Sequence, residues 1–290
     1  MNQTRAYIYG LLAVLCWSTV ASAFKIGLRY LSPTGLLVYA AGTATLVLLL
    51  VLICQGKWPL LLRNRRRDLI HSAGLGFLNP FLYYAILFKA FDLLPAQEAQ
   101  PLNYTWAIAL VLLSIPLLKQ KIRPLSLLGI LISFLGVYII STRGDITGCQ
   151  FTDPLGVSLA IGSSLVWAFF WIFNLKDDRD EVVKFFLSSS FGFGFSLIFA
   201  VLTGSLQAAP LAGIAAAGYS GVFEMGLTFV IWLKALRLSK TTAQVSNLIF
   251  LSPFISLVLL NIIVGEEIYS SSITGLFFIV AGILVQKKLG

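Results

Sequence analysis

Apolar residues run through this chain in long unbroken stretches separated by short polar joints. From Thr34 to Cys54 no charged residue interrupts, and runs of similar length recur to the C-terminal end. A helix needs about 20 such residues to cross a bilayer core about 30 Å thick. Strands of an outer-membrane barrel would instead alternate apolar and polar positions over about ten residues. Dividing the chain at charged and Gly/Pro-rich points predicts an all-α integral membrane protein. Its ten transmembrane helices fall at residues 6–24, 34–54, 69–91, 97–118, 125–141, 155–175, 184–203, 211–233, 242–264 and 272–286. The longest joint runs from Gln55 to Asp68, too short for an extramembrane domain.

Composition sharpens this picture. Of 290 residues, 58% are hydrophobic and 11% charged, against about 45–50% and about 25% in soluble domains. A disordered chain, a secreted disulfide scaffold and an ordinary soluble enzyme are excluded. Cys16, Cys54 and Cys149 have neither disulfide-framework nor metal-site spacing, and no G-x-x-x-x-G-K-[ST] run is present. No cofactor and no metal are therefore expected.

The net charge of +9 is topological rather than a sign of nucleic acid. On the ten-helix division, 17 basic residues fall on one side and four, Lys25, Arg29, Lys89 and Arg143, on the other. Cytoplasmic loops retain Lys and Arg, so both termini are expected in the cytoplasm and the protein in the cell inner membrane. The loop carrying Arg63, Arg65, Arg66 and Arg67 reads as a contact for lipid headgroups. Arg5, an apolar run and Ala21-Ser22-Ala23 have the outline of a signal peptide. Cleavage there would delete a helix that the chain's internal repeat requires.

The second half of the chain can be laid on the first. Phe88-Lys89-Ala90-Phe91-Asp92-Leu93 matches Leu233-Lys234-Ala235-Leu236-Arg237-Leu238, and Gly76 matches Gly221. Gly129 and Gly136 fall on Gly275 and Gly282, Ile122 on Ile268, and Trp17 on Trp167. The matches divide the chain into two five-helix units, 1–145 and 146–290. Because five is odd, the second unit enters the membrane from the opposite face, the arrangement that supports alternating access around a midplane site.

Two inverted five-helix units, each closed by a Gly-x6-Gly helix (Gly129 and Gly136; Gly275 and Gly282), resemble the drug/metabolite transporter superfamily in its EamA-type branch. Leu251-Ser252-Pro253 and Gly265-Glu266 are similar to that family's pattern, although the first unit has Lys119-Gln120 where the second has Gly265-Glu266. Pro101-Leu102-Asn103-Tyr104-Thr105-Trp106 resembles a subgroup that includes aromatic amino-acid exporters. The resemblance implies transport, with export the commoner direction.

Polar groups at bilayer depth cost about 2.5–3.5 kcal/mol when ionisable, so their positions are informative. Glu224 lies near the centre of helix 8 with no basic residue at that depth to pair with. It is expected to face a cavity, binding a substrate amine or carrying a coupling proton. The repeat pairs it with Asn79, beside Pro80, and pairs Thr228 with Tyr83, so that each helix shows polar residues at i and i+4 on one face. Asn79 suits either an interhelical hydrogen bond or a cavity wall. Trp17, Tyr83, Tyr104, Trp106, Trp167 and Trp171 lie away from the helix ends where interfacial aromatics gather. They either pack the core or line the same cavity.

Glu98, Gln244 and Asn247 occupy corresponding places in the two units, as ordinary polar residues near helix ends or as a gate, and Asn247 joins the candidate substrate-binding set. His71 reads as an interfacial residue. Gly129, Ser133, Gly136, Gly275 and Gly282 form small-residue stripes for close packing, within the monomer or across a homodimer. One interfacial histidine and one central glutamate do not make a catalytic set. The expected function is thus secondary transport of small organic metabolites such as amino acids. Other amphipathic compounds or drugs, and lipid scrambling, are the alternatives. Phosphorylated substrates would want Lys or Arg deep in the cavity, and every basic residue lies near a helix end or in a loop.

Overall fold

The computed structural model describes residues 2–119, 126–145, 147, 151–206, 208–239 and 247–289. All regular structure among them is helical. We label the principal helices α1 (Gln3–Leu28), α2 (Pro33–Cys54), α3 (Arg66–Leu93), α4 (Ala96–Leu117), α5 (Ser126–Ser141), α6 (Pro154–Leu175), α7 (Glu181–Leu202), α8 (Leu211–Leu236), α9 (Ser252–Val264) and α10 (Ser270–Leu289). Seven of them, α1 to α4 and α6 to α8, are long and apolar enough to cross a membrane; α5, α9 and α10 contain shorter apolar helices. The joint after α2 holds a single helical turn, Trp58–Leu61.

Local chemistry starts these helices where they start. The side chains of Ser32, Asp153 and Asp180 accept hydrogen bonds from backbone amides in the first turns of α2, α6 and α7, satisfying donors that have no partner within the helix. Pro33 and Pro154 sit where the missing N–H costs nothing.

Three of these helices are interrupted along their length. In α3, Asn79 is extended (φ −149°, ψ 122°) and precedes Pro80, which has no N–H to donate. In α4 a turn at Tyr104 and Thr105 separates Ala96–Asn103 from Trp106–Leu118. In α8 a wide turn, Gly221–Gly226, holds Glu224.

The burial pattern is inverted relative to a water-soluble bundle. Leu46, Leu50, Leu131, Ile198, Val201, Ile262 and Phe277 point outward, while Ser18, Ser133, Ser196 and Ser220 are fully buried. Ser18, Ser196 and Ser220 return their hydroxyl hydrogens to carbonyls one turn back, which satisfies them without water.

Where helices cross most closely, glycine is at the contact. A methyl group at Gly76 of α3 would strike the Ser188 carbonyl, the Phe191 side chain and the Gly192 amide of α7. A methyl at Gly221 of α8 would strike the Ala40 carbonyl, the Thr43 side chain and the Ala44 amide of α2, the same i, i+3, i+4 pattern. Between α5 and α10, Gly136 faces the Gly275 carbonyl and Gly282 faces the Gly129 carbonyl. Ser133 Oγ also donates to the Ile279 carbonyl at 3.0 Å. These stripes therefore pack within one chain.

Gly136→Ala and Gly282→Ala are each expected to destabilise the protein by about 1–3 kcal/mol through overpacking. Gly162→Ala, where an added methyl meets nothing within 4 Å, is expected to be neutral or mildly stabilising. Thermal unfolding in detergent, one variant at a time, checks the contrast.

Candidate functional site: a central aromatic cavity

A cavity of about 310 Å³ lies among α1, α3, α4, α6 and α8. Its wall includes Trp17 of α1, Tyr83 of α3, Tyr104 and Trp106 of α4, Trp167 and Trp171 of α6, and Glu224 of α8. Tyr83 lies on Trp167 with ring centroids 4.6 Å apart, and Trp17 meets Trp232 at 5.4 Å. Phe229 packs beneath Trp17, Trp167 and Trp171, so aromatics from both halves of the chain form one continuous surface. Tyr83 and Trp167 are nearly buried, so they pack the core and border the cavity at once.

Two of the residues expected there lie elsewhere. Asn79 is buried beside Pro80, Phe170, Phe185 and Ser188, around a separate recess of about 20 Å³, because the break in α3 turns it toward α7. Thr228 is fully buried and donates to the Phe223 carbonyl. The wide turn just before it rotates the rest of the helix, so Glu224 and Thr228 do not share the face that an unbroken helix would give them. Gln244, Cys149 and Ile122 lie outside the described residues, as does the side chain of Asn247.

The partner of Glu224 is a phenol. Tyr84, fully buried one residue beyond Tyr83, donates its hydroxyl hydrogen to Glu224 Oε1 at 3.0 Å. Beside this pair runs a hydrogen-bonded chain: Tyr83 donates to Asn103 Oδ1 at 3.0 Å, and Asn103 Nδ2 donates to Ser163 Oγ at 2.8 Å. Thr105 donates to Ser164 Oγ at 3.1 Å, so α4 is fastened to α6 just where α4 turns. Gln100 also lines the cavity, and its amide oxygen accepts from Ser256 Oγ of α9 at 2.6 Å.

Gln100, Asn103 and Tyr84 were not among the expected site residues. Gln100 and Asn103 carry a readable signal, two amides three residues apart at bilayer depth and thus on one helix face. Tyr84 carries none, since the break at Asn79 decides which of two adjacent tyrosines meets which neighbour.

Polar contacts gather near the α1–α2 joint. Gly265, in the left-handed conformation (φ 77°), turns the chain so that Glu266 reaches the amides of Ala96 and Gln97 at the start of α4, at 3.1 and 3.3 Å. The Glu266 carboxylate is 3.9 Å from Lys25 Nζ, which also donates to the carbonyls of Phe91 and Leu94. Glu98, only 1% exposed, accepts from Arg143 Nε at 2.8 Å. It is therefore a buried carboxylate paired with an exposed guanidinium rather than an unpartnered helix-end residue. At the opposite end His71 Nδ1 lies 3.3 Å from Asp177 Oδ2. Burial pushes the Asp177 carboxyl up, but hydrogen bonds and charge from Arg179 outweigh it and hold it at about 2.

Comparison with known proteins agrees with this architecture. The model of the EamA-like transporter family matches residues 4–142 and again 154–286. An uncharacterized transporter of Clostridium kluyveri is 26% identical, over 97% of this chain and 93% of its own length. An uncharacterized transporter of Bacillus subtilis, YvbV, is also 26% identical, over 99% of this chain and 93% of its own. The aromatic amino acid exporter YddG of Ancylobacter novellus is 28% identical over 64% of each chain. One solved crystal structure, 21% identical, superposes with a TM-score of 0.69 over 99% of this chain and 98% of its own, a likeness of fold.

Asn103→Leu removes the acceptor of the Tyr83 hydroxyl and the donor to Ser163, leaving two buried hydroxyls without that partner. A loss of about 1–3 kcal/mol is expected, read as a lower melting temperature in detergent. Because Asp177 is held below its unfolded value of about 3.9, its contribution to stability is complete above that pH and is lost as pH falls toward about 2. Melting curves of the wild type should decline across that window, and those of Asp177→Asn should lack that part of the decline.

Proposed function

The chain belongs to the EamA-like transporter family, and from that premise we propose that it is a secondary transporter of small organic metabolites such as amino acids, working by alternating access around the central cavity. The observation that carries this reading is the cavity itself: a largely aromatic surface built from both halves of the chain, with one carboxylate in its wall. Small-ligand sites combine apolar walls with few, well-placed polar groups in this way. Trp17, Tyr83, Tyr104, Trp106, Trp167, Trp171 and Glu224 are the proposed contact residues. An exporter of aromatic amino acids among the relatives supports both the substrate class and the direction.

The proposed topology is ten transmembrane helices in two inverted units, 1–145 and 146–290, with both termini cytoplasmic, in the cell inner membrane. Two features support it: the separate family matches to the two halves, and the glycine contacts, which recur when the halves are exchanged. Such an exchange is the basis of alternating access, since each half can take the shape of the other. The polar contacts among Lys25, Glu266, Glu98 and Arg143 would then have to separate for the cavity to open at that end.

Purified protein in liposomes is expected to take up radiolabelled amino acids or organic amines, and a thermal-shift panel of such compounds is expected to contain stabilising ligands. Trp167→Ala should weaken both responses. Lipid scrambling without solute uptake would refute the proposal in favour of the scramblase alternative.

A further inference from the structure

The cavity sorts hydrogen-bonding groups by kind and charge. Glu224 is the sole carboxylate among the described residues lining it, and no Lys, Arg or His is among them. Tyr84 occupies Glu224 Oε1 from the buried side. The remaining oxygen is left to the cavity. Gln100 is arranged in the opposite sense. Ser256, fully buried behind it, occupies its amide oxygen at 2.6 Å, which leaves the amide NH₂ as the group it can present to a ligand. The site thus offers a charged acceptor from α8 and a neutral donor from α4, each held by a partner outside the cavity, with aromatic rings around them.

We infer that this cavity selects an amphipathic monocation: an ammonium on Glu224, an aromatic or aliphatic body against the tryptophans, and an uncharged hydrogen-bond acceptor on the Gln100 amide. The inference rests on the transporter reading and, within its small organic metabolites, favours amines over zwitterionic amino acids. The physical ground is charge balance against a mostly apolar wall. An ionised carboxylate with a monocation over it is neutral as a pair. With a zwitterionic amino acid the same site keeps one net negative charge, which is costly in a low-dielectric setting. The amino acid's own carboxylate, adjacent to its ammonium, would also be brought toward Glu224, with no cationic side chain on the described wall to receive it. Tyr84 and Ser256 are positioning residues in this arrangement, since they act through Glu224 and Gln100.

Four phenyl compounds separate the charge states: phenylalanine amide and phenethylamine (cations, with and without a carbonyl acceptor), phenylalanine (zwitterion) and 3-phenylpropionate (anion). Five of the six tryptophans line the cavity, so the protein's own fluorescence in detergent reports binding. The two cations are expected to bind about tenfold or more tightly than phenylalanine, whose carboxylate enters a wall that has no cation to pair it. The anion is expected not to bind. Glu224→Gln, which keeps an acceptor for Tyr84, should erase the preference for cations. Gln100→Met should weaken phenylalanine amide about fivefold and leave phenethylamine unchanged. Phenylalanine binding as tightly as its amide, or a preference that survives Glu224→Gln, would overturn the inference and leave the cavity reading standing. No response to any of the four compounds would overturn both.

Discussion

The close approach of helix backbones at a handful of glycines is the constraint on which the rest of this structure depends. Lipid is as apolar as a leucine side chain, so burial alone does not hold one transmembrane helix to another, and contact area has to come from close packing. Gly76, Gly221, Gly136 and Gly282 supply it, and every one of these contacts joins the first half of the chain to the second. The hydroxyls of Thr45 and Ser189, 3.0 Å apart between α2 and α7, lie along the same seam. With α2, α3, α5, α7, α8 and α10 committed to these crossings, the inner faces of α1, α4 and α6 and the middle of α3 and α8 are left to surround open space.

Much of the polarity in that space lies at or beside breaks in the helices. A continuous helix satisfies its own backbone and presents side chains at fixed angles, whereas a break frees carbonyls and shifts the register of every residue beyond it. The breaks at Asn79 and at Gly221–Gly226 put Tyr84, not Asn79, against Glu224. The turn in α4 brings Asn103 and Thr105 to Ser163 and Ser164 of α6. Aromatic rings and aliphatic side chains such as Val20, Leu87 and Leu233 share the remaining wall.

Much of this was legible in residues alone. Unbroken apolar runs marked the seven long helices to within a few residues, because bilayer thickness leaves little freedom in their length, whereas the run 242–264 begins outside the described residues and its α-helix starts at Ser252. The Gly-x6-Gly stripes marked one close crossing, because no larger side chain fits there, while Gly76 and Gly221 were legible only as a match between the halves. Trp17, Tyr83, Tyr104, Trp106, Trp167, Trp171 and Glu224 were readable as cavity candidates, because aromatic and charged groups away from helix ends need a reason to be there. Asn79 and Thr228 were misplaced for a single cause: spacing along a chain gives a face only while the helix is regular, and both lie beside an interruption.

The sequence by itself determined that the chain is helical, that it belongs in a bilayer and which residues are too costly at depth to be incidental. Those properties come from the transfer of local segments between water and lipid, and local segments are what a sequence contains. Only the tertiary structure decided which side chains meet. Whether Glu224 finds Tyr84, whether Gln100 turns its oxygen toward Ser256, and whether Glu266 closes over the start of α4 depend on helix rotation and on breaks whose angles are set by packing between distant parts of the chain.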